Sequence, residues 1–483
     1  MATSTAHHPR ASHRRTSPAQ LSRETMIAAR ERARNYRSRA RAADLMGVLC
    51  WLSVAVSVGL YLAYSGASQF TSPGGIITAT GIITGLAGTD LILLMLVLAA
   101  RVPWIDRTVG QDRAIALHKR LGKPALYLIL GHGVLLTIGY SVQDGTNVIA
   151  ETISFFGLGN DLLLAYIATA LLIVVVVTSV VAVRRHFAYE AWHLIHLLSY
   201  LAVLVALPHQ LSIGGVLADG TLQRVYWLGL YCVAFGAIAV FRFAVPVART
   251  LRHRLRVERI DQVAPGVVSL QLAGADLRRL GASGGQYAIW RFWSWRTWWH
   301  AHPISFSAMP TDRSVRLTVR ELGRGTSRLT RLRPGTFVSI EGPYGIFTDQ
   351  ARTSPYLSVI AAGIGVTPVR AMLEHATLRP GEASILLRGT DESQQYLWHE
   401  IGQIAHNTNA TAFSMLGHRP ANYPTWMSAH ALANNVTLES TFPHLHESDL
   451  FICGPAAWAD EVVADARHAG MPERQIHIER FGS

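Results

Sequence analysis

Four histidines lie at matched spacings in two apolar stretches of the chain. His118 and His132 are 14 residues apart, and His196 and His209 are 13 residues apart. At 1.5 Å per residue, each spacing corresponds to roughly 20 Å along a helix axis. Imidazole nitrogens in hydrocarbon need a partner, and two imidazoles facing each other from neighbouring helices suit a six-coordinate haem iron. The spacings predict two stacked haems, one held by an inner pair (His118 and His196) and one by an outer pair (His132 and His209).

One angular relationship does not fit a straight helix. Thirteen residues leave His209 about 140° away from His196 around the helix axis, at roughly 100° per residue. Pro208 comes directly before His209. Either a kink at Pro208 turns His209 inward, or the whole helix tilts. His193 lies one turn before His196 and is interpreted as a structural residue.

The histidines require membrane-spanning helices, and the sequence contains six apolar runs of that length. A span takes about 20 residues to cross roughly 30 Å of hydrocarbon. Basic residues are concentrated before the first run and after the second, fourth and sixth runs, which predicts that both termini face the cytoplasm. The six runs lie near residues 45–65, 76–100, 121–140, 161–183, 191–213 and 225–245.

The composition agrees with a membrane part joined to a basic, water-exposed part. Half of the 483 residues are hydrophobic, yet the formal net charge is +13. The Arg-rich residues 1–44 lack an early apolar core and are interpreted as a solvated tail that lies against anionic lipid, not as a cleaved signal peptide. Cys50, Cys232 and Cys453 are too few and too far apart for a disulfide framework, a zinc site or a four-cysteine iron–sulfur cluster.

The pattern changes after the sixth run. Short alternating runs such as "VVSLQLAG" and "VRLTVREL" predict a small antiparallel β-barrel. From about residue 352, strands alternate with helices, as in a parallel α/β domain. The predicted organisation is a basic tail (1–44), a six-helix transmembrane domain (45–248), a β-barrel domain (249–351) and an α/β domain (352–483).

Three motifs in the barrel region indicate a flavin site. "GGQYAIW", "HAHPISFSAMP" and "ELGRGTSRL" follow one another in this order. Extended backbone from Pro303 to Ser305 can lie along an isoalloxazine ring, with the Ser305 hydroxyl at its polar edge. Gly325, Thr326 and Ser327 are predicted to open a helix whose N-terminus holds a pyrophosphate. The ordered set predicts that the barrel binds FAD.

Two motifs in the α/β region indicate a nicotinamide nucleotide. "SVIAAGIGVTPVRAML" predicts a strand, a Gly-X-Gly turn that allows close approach of phosphate, and a helix. Thr367 is expected to cap that helix, and the following proline fits its first turn. In "FICGPAAWADEV" a buried strand ends at the edge where strand C-termini bind ligands. The candidate residues are Gly363, Gly365, Thr367, Pro368, Cys453, Gly454 and Pro455.

Together these features resemble the ferric reductase and NADPH oxidase superfamily over nearly the whole chain after the tail. The histidine spacings, "HPIS", "GIGVTP" and "CGP" each resemble a family motif. The resemblance implies two b-type haems held by the inner and outer pairs. It also implies electron transfer from cytoplasmic NADPH or NADH through FAD and the haems to an acceptor on the outer face. The FAD contacts that it implies are Gln286, Tyr287, His302, Pro303, Ile304, Ser305, Gly325, Thr326 and Ser327.

Several positions depart from the family pattern or leave a choice open. Animal oxidases of this type have another histidine one turn after the second ligand of the third helix, where this chain has Leu136. The outer half of the second run contains no arginine, and both features weaken a dedicated superoxide-forming activity. Arg388 suits a 2′-phosphate and favours NADPH, whereas Asp391 suits a ribose hydroxyl and favours NADH. Phe481 is the candidate for the aromatic residue that covers the flavin.

Three functions remain open. In the first, a small oxidant outside the cell accepts the electrons, either a ferric or cupric chelate or O2. In the second, the chain donates electrons to quinone or to a periplasmic protein, which docks on the outer loop 141–160 near Asp144, Glu151 and Asp161. In the third, the membrane half is a haem-free sensor or permease with a regulatory flavin domain. The expected partners are the lipid bilayer and the acceptor, and no nucleic acid.

The segment "RFWSWRTWWHAH", residues 291–302, is dense in tryptophan. Indoles are favoured at the membrane surface, and the segment is expected either to lie there or to fold over the flavin domain.

Overall fold

The fold is that of a computed structural model, which describes residues 23–64, 66–157, 159–180, 183, 185–187, 189–213 and 216–481. Residues 1–22 of the predicted tail lie outside the described residues. The chain divides into two compact units. One consists of residues 38–346, and the other of the residues up to 37 together with those from 347 onward.

Helices form the first part of the 38–346 unit. They are α1 (Arg23–Tyr64), α2 (Pro73–Ala99), α3 (Pro103–Val109), α4 (Gln111–Gln143), α5 (Val148–Gly157), α6 (Asn160–Ser179), α7 (Tyr189–Val205), α8 (Leu207–Ser212), α9 (Leu222–Ile238) and α10 (Val245–His253). A π-helical stretch, Ala239–Ala244, joins α9 to α10. Six stretches among the described residues are long and apolar enough to cross a membrane: α1, α2, α4, α6, α7 with α8, and α9 with α10. Each of the six predicted runs overlaps one of these stretches, with ends that differ by at most a few residues for the runs that extend beyond them.

The first helix begins earlier than the apolar run indicates. Residues 23–44, predicted as a solvated tail, are helical and continuous with the first span. This segment is rich in Ala, Arg and Glu, which are strong helix formers. Extension from an existing helix also adds one hydrogen bond per residue without a new nucleation step. The helix therefore crosses the boundary predicted at residue 44 without a break.

Small residues line the contact between α2 and α4. A Cβ on Gly88 of α2 would lie 3.0 Å from Ile129 of α4, and a Cβ on Gly139 of α4 would lie 2.3 Å from the Thr78 hydroxyl oxygen. Gly85 also faces α4. Small residues at such contacts let the backbones of transmembrane helices approach closely. The approach brings carbonyl groups of α2 within reach of side chains on α4.

A buried carboxylate joins three of the spans. Asp90 of α2 is fully buried and accepts hydrogen bonds from Ser53 at 2.9 Å and from Ser57 at 3.0 Å, both on α1. The Ser53 hydroxyl also lies 3.0 Å from the Tyr226 hydroxyl of α9. An acidic side chain within a membrane is costly unless polar partners satisfy it. This cluster therefore fixes α1, α2 and α9 relative to one another.

Two three-stranded antiparallel sheets follow α10. Their strands are β1 (Arg256–Ala264), β2 (Val267–Ala273), β3 (Tyr287–Phe292), β4 (His302–Ser305), β5 (Ser314–Arg320) and β6 (Val338–Tyr344). The strand orders are β1-β2-β5 and β4-β3-β6. Single bridges pair Arg256 with Phe337 and Phe306 with Leu317, so the sheets meet at both margins. A short helix, α11 (Arg324–Leu329), lies between β5 and β6.

A five-stranded sheet forms the core of the other unit. Its strands are β7 (Tyr356–Ala362), β8 (Ala383–Arg388), β9 (Thr411–Met415), β10 (Ser448–Pro455) and β11 (Ile476–Phe481), in the order β11-β10-β7-β8-β9. Its helices are α12 (Val366–His375), α13 (Trp398–Asn407), α14 (Ala429–Ala433), α15 (Leu438–Thr441) and α16 (Ala456–His468). Every neighbouring strand pair is parallel, which confirms the predicted parallel α/β domain.

A charged network lies at the amino ends of these strands. The fully buried Arg352 pairs with Glu382, which also accepts a hydrogen bond from Arg32 of α1 at 3.3 Å. Asp449 at the start of β10 is likewise buried and lies 2.8 Å from the Nε2 atom of His477. The first turns of α1 are thereby attached to the parallel sheet, and each buried charge has a partner, as burial of a charge requires.

Candidate functional site

The inner pair is assembled by α2, α4 and α7. The rings of His118 on α4 and His196 on α7 face each other with their centroids 6.0 Å apart and an interplanar angle of 62°. His118 Nδ1 lies 3.1 Å from the Met95 carbonyl oxygen of α2. This contact engages Nδ1, so Nε2 is the nitrogen that His118 offers to a ligand.

His196 has partners of its own on α6 and α7. Its Nδ1 atom lies 3.2 Å from the Ser179 hydroxyl oxygen, which also accepts a hydrogen bond from the Trp192 indole at 3.3 Å. The indole stacks on the His196 ring with centroids 5.1 Å apart. Partners of this kind fix the orientation of a ligating imidazole and the nitrogen that it presents. The ring that faces His118 is that of His196, and His193 lies one turn away.

The outer pair borders one apolar cavity. His132 Nδ1 lies 2.8 Å from the Gly81 carbonyl oxygen of α2. Gly81 and Met95 are 14 residues apart on α2, as His118 and His132 are on α4. Helix α2 therefore supplies a backbone carbonyl contact to the Nδ1 atom of each histidine. His132 and His209 line a cavity of about 920 Å³. Within the described part of the chain, the buried Nδ1 atom of His209 has no hydrogen-bond partner.

The helix break expected at Pro208 is present. α7 and α8 are separate helices with Ala206 between them, because proline lacks an N–H group and its ring clashes with the carbonyl four residues earlier. The break lets His209 face the cavity despite its 13-residue spacing. The neighbouring Gln210 accepts a hydrogen bond from the Trp227 indole at 2.7 Å, which holds α8 against α9.

The inner histidine pair has the ring separation of two axial haem ligands, and the outer pair borders a cavity of cofactor size. An imidazole nitrogen binds a metal ion at roughly 2.0–2.1 Å, and the ring centre lies about 1 Å further, so two axial imidazoles have centres ~6 Å apart. The inner rings have that separation, 6.0 Å. The cavity at the outer pair has a volume typical of a cofactor site. The unpartnered nitrogen of His209 is the kind of buried polar atom that a bound group satisfies.

The predicted flavin motifs meet in the structure. In the pairing of β3 with β4, Tyr287 lies opposite Ser305, and Trp290 lies opposite His302. Helix α11 contains Gly325, on which a Cβ would lie 3.5 Å from the His302 ring. The strand "HPIS" and the helix opened by "GRGTS" are therefore neighbours.

His302 and Gln286 differ in what their side chains offer a ligand. His302 Nε2 is buried and has no partner among the described residues. Burial, together with the nearby His300 and Arg291, lowers the pKa of His302 to about 4, so its imidazole is neutral at physiological pH. The Gln286 side chain instead bonds within the protein and donates to the Gly345 carbonyl oxygen at 3.0 Å.

Other predicted flavin residues support the local backbone. The Ile304 carbonyl accepts a hydrogen bond from the Trp290 indole of β3 at 2.9 Å. The Thr326 hydroxyl accepts one from the Leu322 amide at 2.8 Å, at the start of α11. The residues of this group are Pro303, Ile304, Ser305, Thr326 and Ser327; of these, Ser305 is buried and Pro303 is exposed.

One carboxylate attaches the flavin sheets to the helices. Glu341 of β6 lies 2.7 Å from Arg101, just after α2, and 3.2 Å from Arg242 of the π-helical stretch. Nearby, Asp106 of α3 accepts a hydrogen bond from the Gly345 amide at 3.5 Å, and burial raises its pKa to about 6. These contacts hold β6 against one end of the helical domain. That end is the one nearer to His118 and His196.

The two predicted nucleotide motifs touch at the carboxyl edge of the parallel sheet. Gly363 has a φ of 54°, which glycine adopts without steric cost. A Cβ on Gly365 would lie 2.3 Å from the Cys453 carbonyl oxygen and 3.0 Å from the Gly454 amide nitrogen. The Cys453 thiol is free and fully buried. Burial raises the pKa of this thiol, so it remains protonated.

Thr367 does not cap α12, contrary to expectation. The turn Gly363–Gly365 closes as 3-10 helix, and α12 begins at Val366. Thr367 is therefore the second residue of the helix, and its hydroxyl donates to the Ile364 carbonyl oxygen at 3.0 Å. Pro368 lies in the first turn of α12.

The two residues predicted to discriminate between NADPH and NADH are engaged by the protein. The buried Arg388 guanidinium donates to the Trp426 carbonyl oxygen at 3.3 Å and to three further carbonyl oxygens. Burial, with a contribution from the exposed Arg419, lowers the pKa of Arg388. Asp391 accepts a hydrogen bond from the Ser393 amide at 2.9 Å. Both side chains hold the backbone that follows β8.

Phe481 ends β11 and lies opposite Pro455, the last residue of β10. Because both strands are parallel, Phe481 is at the same sheet edge as the two nucleotide motifs. The ring is half-buried. The two residues after it lie outside the described part of the chain.

Two family matches follow one another along the chain. Residues 84–207 match the ferric reductase like transmembrane component family, and this range contains His118, His132 and His196. Residues 359–464 match the oxidoreductase NAD-binding domain family. The chain belongs to the ferric reductase and NADPH oxidase-like superfamily. The resemblance drawn from its motifs is thereby confirmed.

Relatives of this ferric reductase-like protein match a third to a half of its length. Ferredoxin–NADP reductase B of Sorangium cellulosum is 33% identical over 174 residues, which are 33% of this chain and 68% of that protein. The toluate 1,2-dioxygenase electron transfer component of Pseudomonas putida is 24% identical over 249 residues, 48% of this chain and 68% of that protein. The flavohaem-like FAD/NAD-binding domain of Vibrio cholerae nitric oxide dioxygenase is 20% identical, with a TM-score of 0.39, and covers 48% of this chain and 100% of that chain.

The family matches and the sequence relatives define the class of protein. This ferric reductase-like protein is a multi-pass transmembrane flavoprotein that binds FAD and oxidises NAD(P)H. Electron transport by an oxidoreductase is therefore its activity, which leaves no support for a permease.

Gly365→Ala is expected to abolish NAD(P)H-dependent flavin reduction in this ferric reductase-like protein. The added methyl group would overlap the Cys453 carbonyl group, and overpacking of this kind costs about 1–3 kcal/mol. Flavin bleaching after anaerobic mixing with NADH or NADPH measures the effect. Gly402→Ala, in a helix of the same unit, is the matched control, because a Cβ there meets nothing within 4 Å. Equal bleaching rates in the two variants would contradict the expectation.

The pKa of His302 predicts a pH dependence of stability. Between its value of about 4 and its ordinary value of 6.5, the folded protein binds fewer protons at His302 than the unfolded chain does. The free energy of unfolding should therefore rise with pH across this window and fall on acidification. His302→Asn removes the titrating group, so Tm should depend less steeply on pH between these values. An unchanged slope in a fluorimetric melting series would count against this account.

Several supporting residues were missed by reasoning from the sequence. The carbonyl groups of Gly81 and Met95 have no side-chain signature, although the pattern "GIITG", with Gly81 and Gly85, indicates a close helix contact. Ser179 and Trp192 lie on different helices, and no spacing rule connects them to His196. The contacts of Glu341 with Arg101 and Arg242 join positions far apart in the chain, so no local sequence pattern indicates them.

Proposed function

We propose that this protein carries electrons from cytoplasmic NAD(P)H, through FAD and two b-type haems, to a small acceptor on the outer face of the membrane. His118 and His196 hold the inner haem, and His132 and His209 hold the outer haem. The observation that carries the proposal is the placement of one histidine pair between α4 and α7 and of a second, from α4 and α8, on one apolar cavity. The match of residues 84–207 to ferric reductase-like transmembrane components supports it.

The protein residues position the cofactors and need not act as acids or bases. When bound, FAD converts the two-electron chemistry of NAD(P)H into single-electron transfer to haem. His302 offers a neutral, buried nitrogen to the flavin, and the backbone of "HPIS" lies beside it. The nucleotide binds at the turn Gly363–Gly365 and the end of β10. The side chains of Gln286, Arg388 and Asp391 shape these sites through the backbone that they hold.

Two finer features belong to the same proposal. The sheets β1-β2-β5 and β4-β3-β6 form one six-stranded barrel, which the two bridges at their margins support. Both termini lie in the cytoplasm, which the basic residues that follow the second and sixth spans support. The barrel then lies on the cytoplasmic side, at the end of the helical domain nearer the inner pair.

The proposed acceptor is a ferric or cupric chelate, with O2 as the competing small oxidant. Asp144 and Glu151 line the same cavity as the outer pair. Glu151 is buried in α5 and bonded to Thr146 at 3.0 Å and to Ser154 at 3.1 Å. Negative groups beside the cavity favour a cationic metal centre. Leu136, where animal oxidases have a histidine, favours a chelate over O2.

Glu341→Gln is expected to slow haem reduction several-fold and to leave flavin reduction unchanged. The substitution removes the charge that holds Arg101 and Arg242 against β6, and partly buried charge-assisted bonds are about twice as strong as neutral ones. Flavin bleaching and the haem band, followed in one anaerobic stopped-flow trace, separate the two steps. Glu258→Gln, an exposed change on β1, should affect neither step. Slowing of both steps alike by Glu341→Gln would refute this assignment.

Anaerobic stopped-flow also tests the proposed function. The purified, FAD-loaded protein is reduced with NADPH or NADH under argon and then mixed with a ferric chelate or with O2. Rapid reoxidation of the haem band by the chelate and slow reoxidation by O2 support a metal reductase. The reverse order identifies an oxidase whose oxygen site does not require a histidine at position 136.

Two other outcomes would redirect the proposal. Reoxidation by neither small oxidant, but by a periplasmic extract or a quinone, identifies an electron-donor module that docks near α5. Absence of a haem band in protein purified from haem-replete cells rejects the histidine assignment, and with it the transmembrane path.

A further inference from the structure

The segment between β3 and β4 exposes a cluster of indoles, here called the tryptophan loop (residues 293–299). Trp295 has 88% of its surface exposed, an extreme value for an indole. Contiguous large apolar side chains left in water mark a surface that meets another phase or molecule. The exposed members are Trp293, Trp295, Trp298 and Trp299.

The backbone of the tryptophan loop is held in place by the protein. Thr297 is buried, and its hydroxyl donates to the Phe292 carbonyl oxygen at 2.8 Å. Arg291 donates to the Trp299 carbonyl oxygen at 3.2 Å, and Arg328 donates to the Arg296 carbonyl oxygen at 3.1 Å. The indoles therefore project from an ordered turn. The Trp293 indole donates to the Ser339 hydroxyl of β6 at 3.0 Å, so one end of the loop rests on the sheet while Trp295 points away from it into solvent.

An ion pair places the loop at the membrane boundary. His300, directly after the loop, has its Nδ1 atom 3.1 Å from the Glu190 carboxylate. Glu190 is the first residue of the fifth span, Glu190–Ser212. The loop therefore lies beside the first turn of this span, and indoles are enriched where membrane proteins meet the interface between hydrocarbon and water. Arg296 is exposed beside Trp295 and complements the anionic headgroups of a cytoplasmic leaflet.

We propose that the tryptophan loop is a membrane-docking surface. Its indoles enter the headgroup region of the leaflet on the flavin side, and Arg296 contacts anionic lipid. The surface is continuous with the fifth span through the contact of His300 with Glu190. β4 begins at His302, two residues after His300, so lipid contact would also restrain the strand that carries "HPIS".

Site-directed spin labelling of the full-length protein in lipid nanodiscs tests the proposal. Cys50 and Cys232 are replaced by serine, and the buried Cys453 is retained. A nitroxide is attached at Trp295→Cys, and its collision rates with O2 and with a water-soluble nickel chelate are measured. Glu258→Cys, exposed on β1, is the reference for water, and Val233→Cys, exposed on α9, is the reference for acyl chains.

The label at position 295 should collide with the nickel chelate several-fold less often than the label at 258. Its ratio of O2 to nickel collisions should lie between those of the two references. A ratio equal to that at 258 would overturn the proposal, and so would shielding from both reagents, which indicates cover by protein.

The lipid headgroups are tested separately. Nanodiscs with phosphatidylglycerol should hold the label deeper than nanodiscs of phosphatidylcholine alone, and Arg296→Ser should remove the difference. An equal depth in the two lipids would exclude the contact with anionic lipid. Neither measurement depends on haem or turnover. A wrong haem assignment would be seen in the haem spectrum and would leave the collision rates of the label unchanged.

Discussion

His118→Ala and His196→Ala are each expected to halve the haem content of the purified protein and to stop electron transfer to the proposed outer acceptor. The two rings lie 6.0 Å apart, on opposite sides of one proposed iron, so loss of either imidazole removes an axial ligand. Flavin reduction by NAD(P)H should continue, because the nucleotide and flavin sites do not include either residue. Haem per protein, from the pyridine haemochrome spectrum, and anaerobic flavin bleaching measure the two expectations.

His193→Ala is the matched control for these variants. It removes an imidazole from the same helix, one turn away from His196, and should keep the full haem content. Full haem content in His118→Ala would contradict the inner-pair assignment. Loss of haem in His193→Ala, with retention in His196→Ala, would transfer the ligand role to His193.

Gly85→Ala is expected to remove the proposed outer haem and to leave the inner one. A Cβ on Gly85 would lie 2.4 Å from His132 Nδ1, closer than the 2.8 Å hydrogen bond that this nitrogen makes with the Gly81 carbonyl oxygen. The His132 ring must therefore move away from α2 and lose the contact that orients it. Haem content should fall by half, and the reduced spectrum should keep the features that His118→Ala loses.

Gly131→Ala is the control for the Gly85 variant. Gly131 lies next to His132, but a Cβ there meets nothing within 4 Å. Both substitutions gain the same helix propensity, about 1 kcal/mol for alanine over glycine, so any difference between them reflects the steric contact. Equal haem content in the two variants would show that α2 does not position His132.

The spans and the domain order could be read from local sequence. Apolar runs of about 20 residues indicate membrane spans whatever surrounds them, and each of the six runs overlaps an apolar helix. The strands and helices after residue 352 likewise follow from periodicity and glycine-rich turns, and the parallel sheet confirms them. The break before His209 was also predictable, because the effect of Pro208 on a helix depends on its own ring and the preceding turn.

The supporting contacts of the site could not be read in this way. Met95, Gly81 and Ser179 meet the histidines because α2 and α6 pack beside α4 and α7, and the register of that packing is not encoded in any one segment. The packing of distant segments also explains the contacts of Arg388. Its sequence context fits a phosphate ligand, but packing surrounds its guanidinium with carbonyl groups of the segment at the end of β9 and of Trp426, in addition to that of the adjacent Gly389.

The sequence by itself determined which chemistry this protein can perform: four imidazoles at matched depths, a flavin motif and a nucleotide turn, in that order along six spans and two further domains. These features depend on residue type and on spacing along one helix or one strand. The tertiary structure alone decided which nitrogen His118, His132 and His196 present, and that the tryptophan loop adjoins the fifth span. Each of these depends on contacts between segments far apart in the chain, such as that of His300 with Glu190.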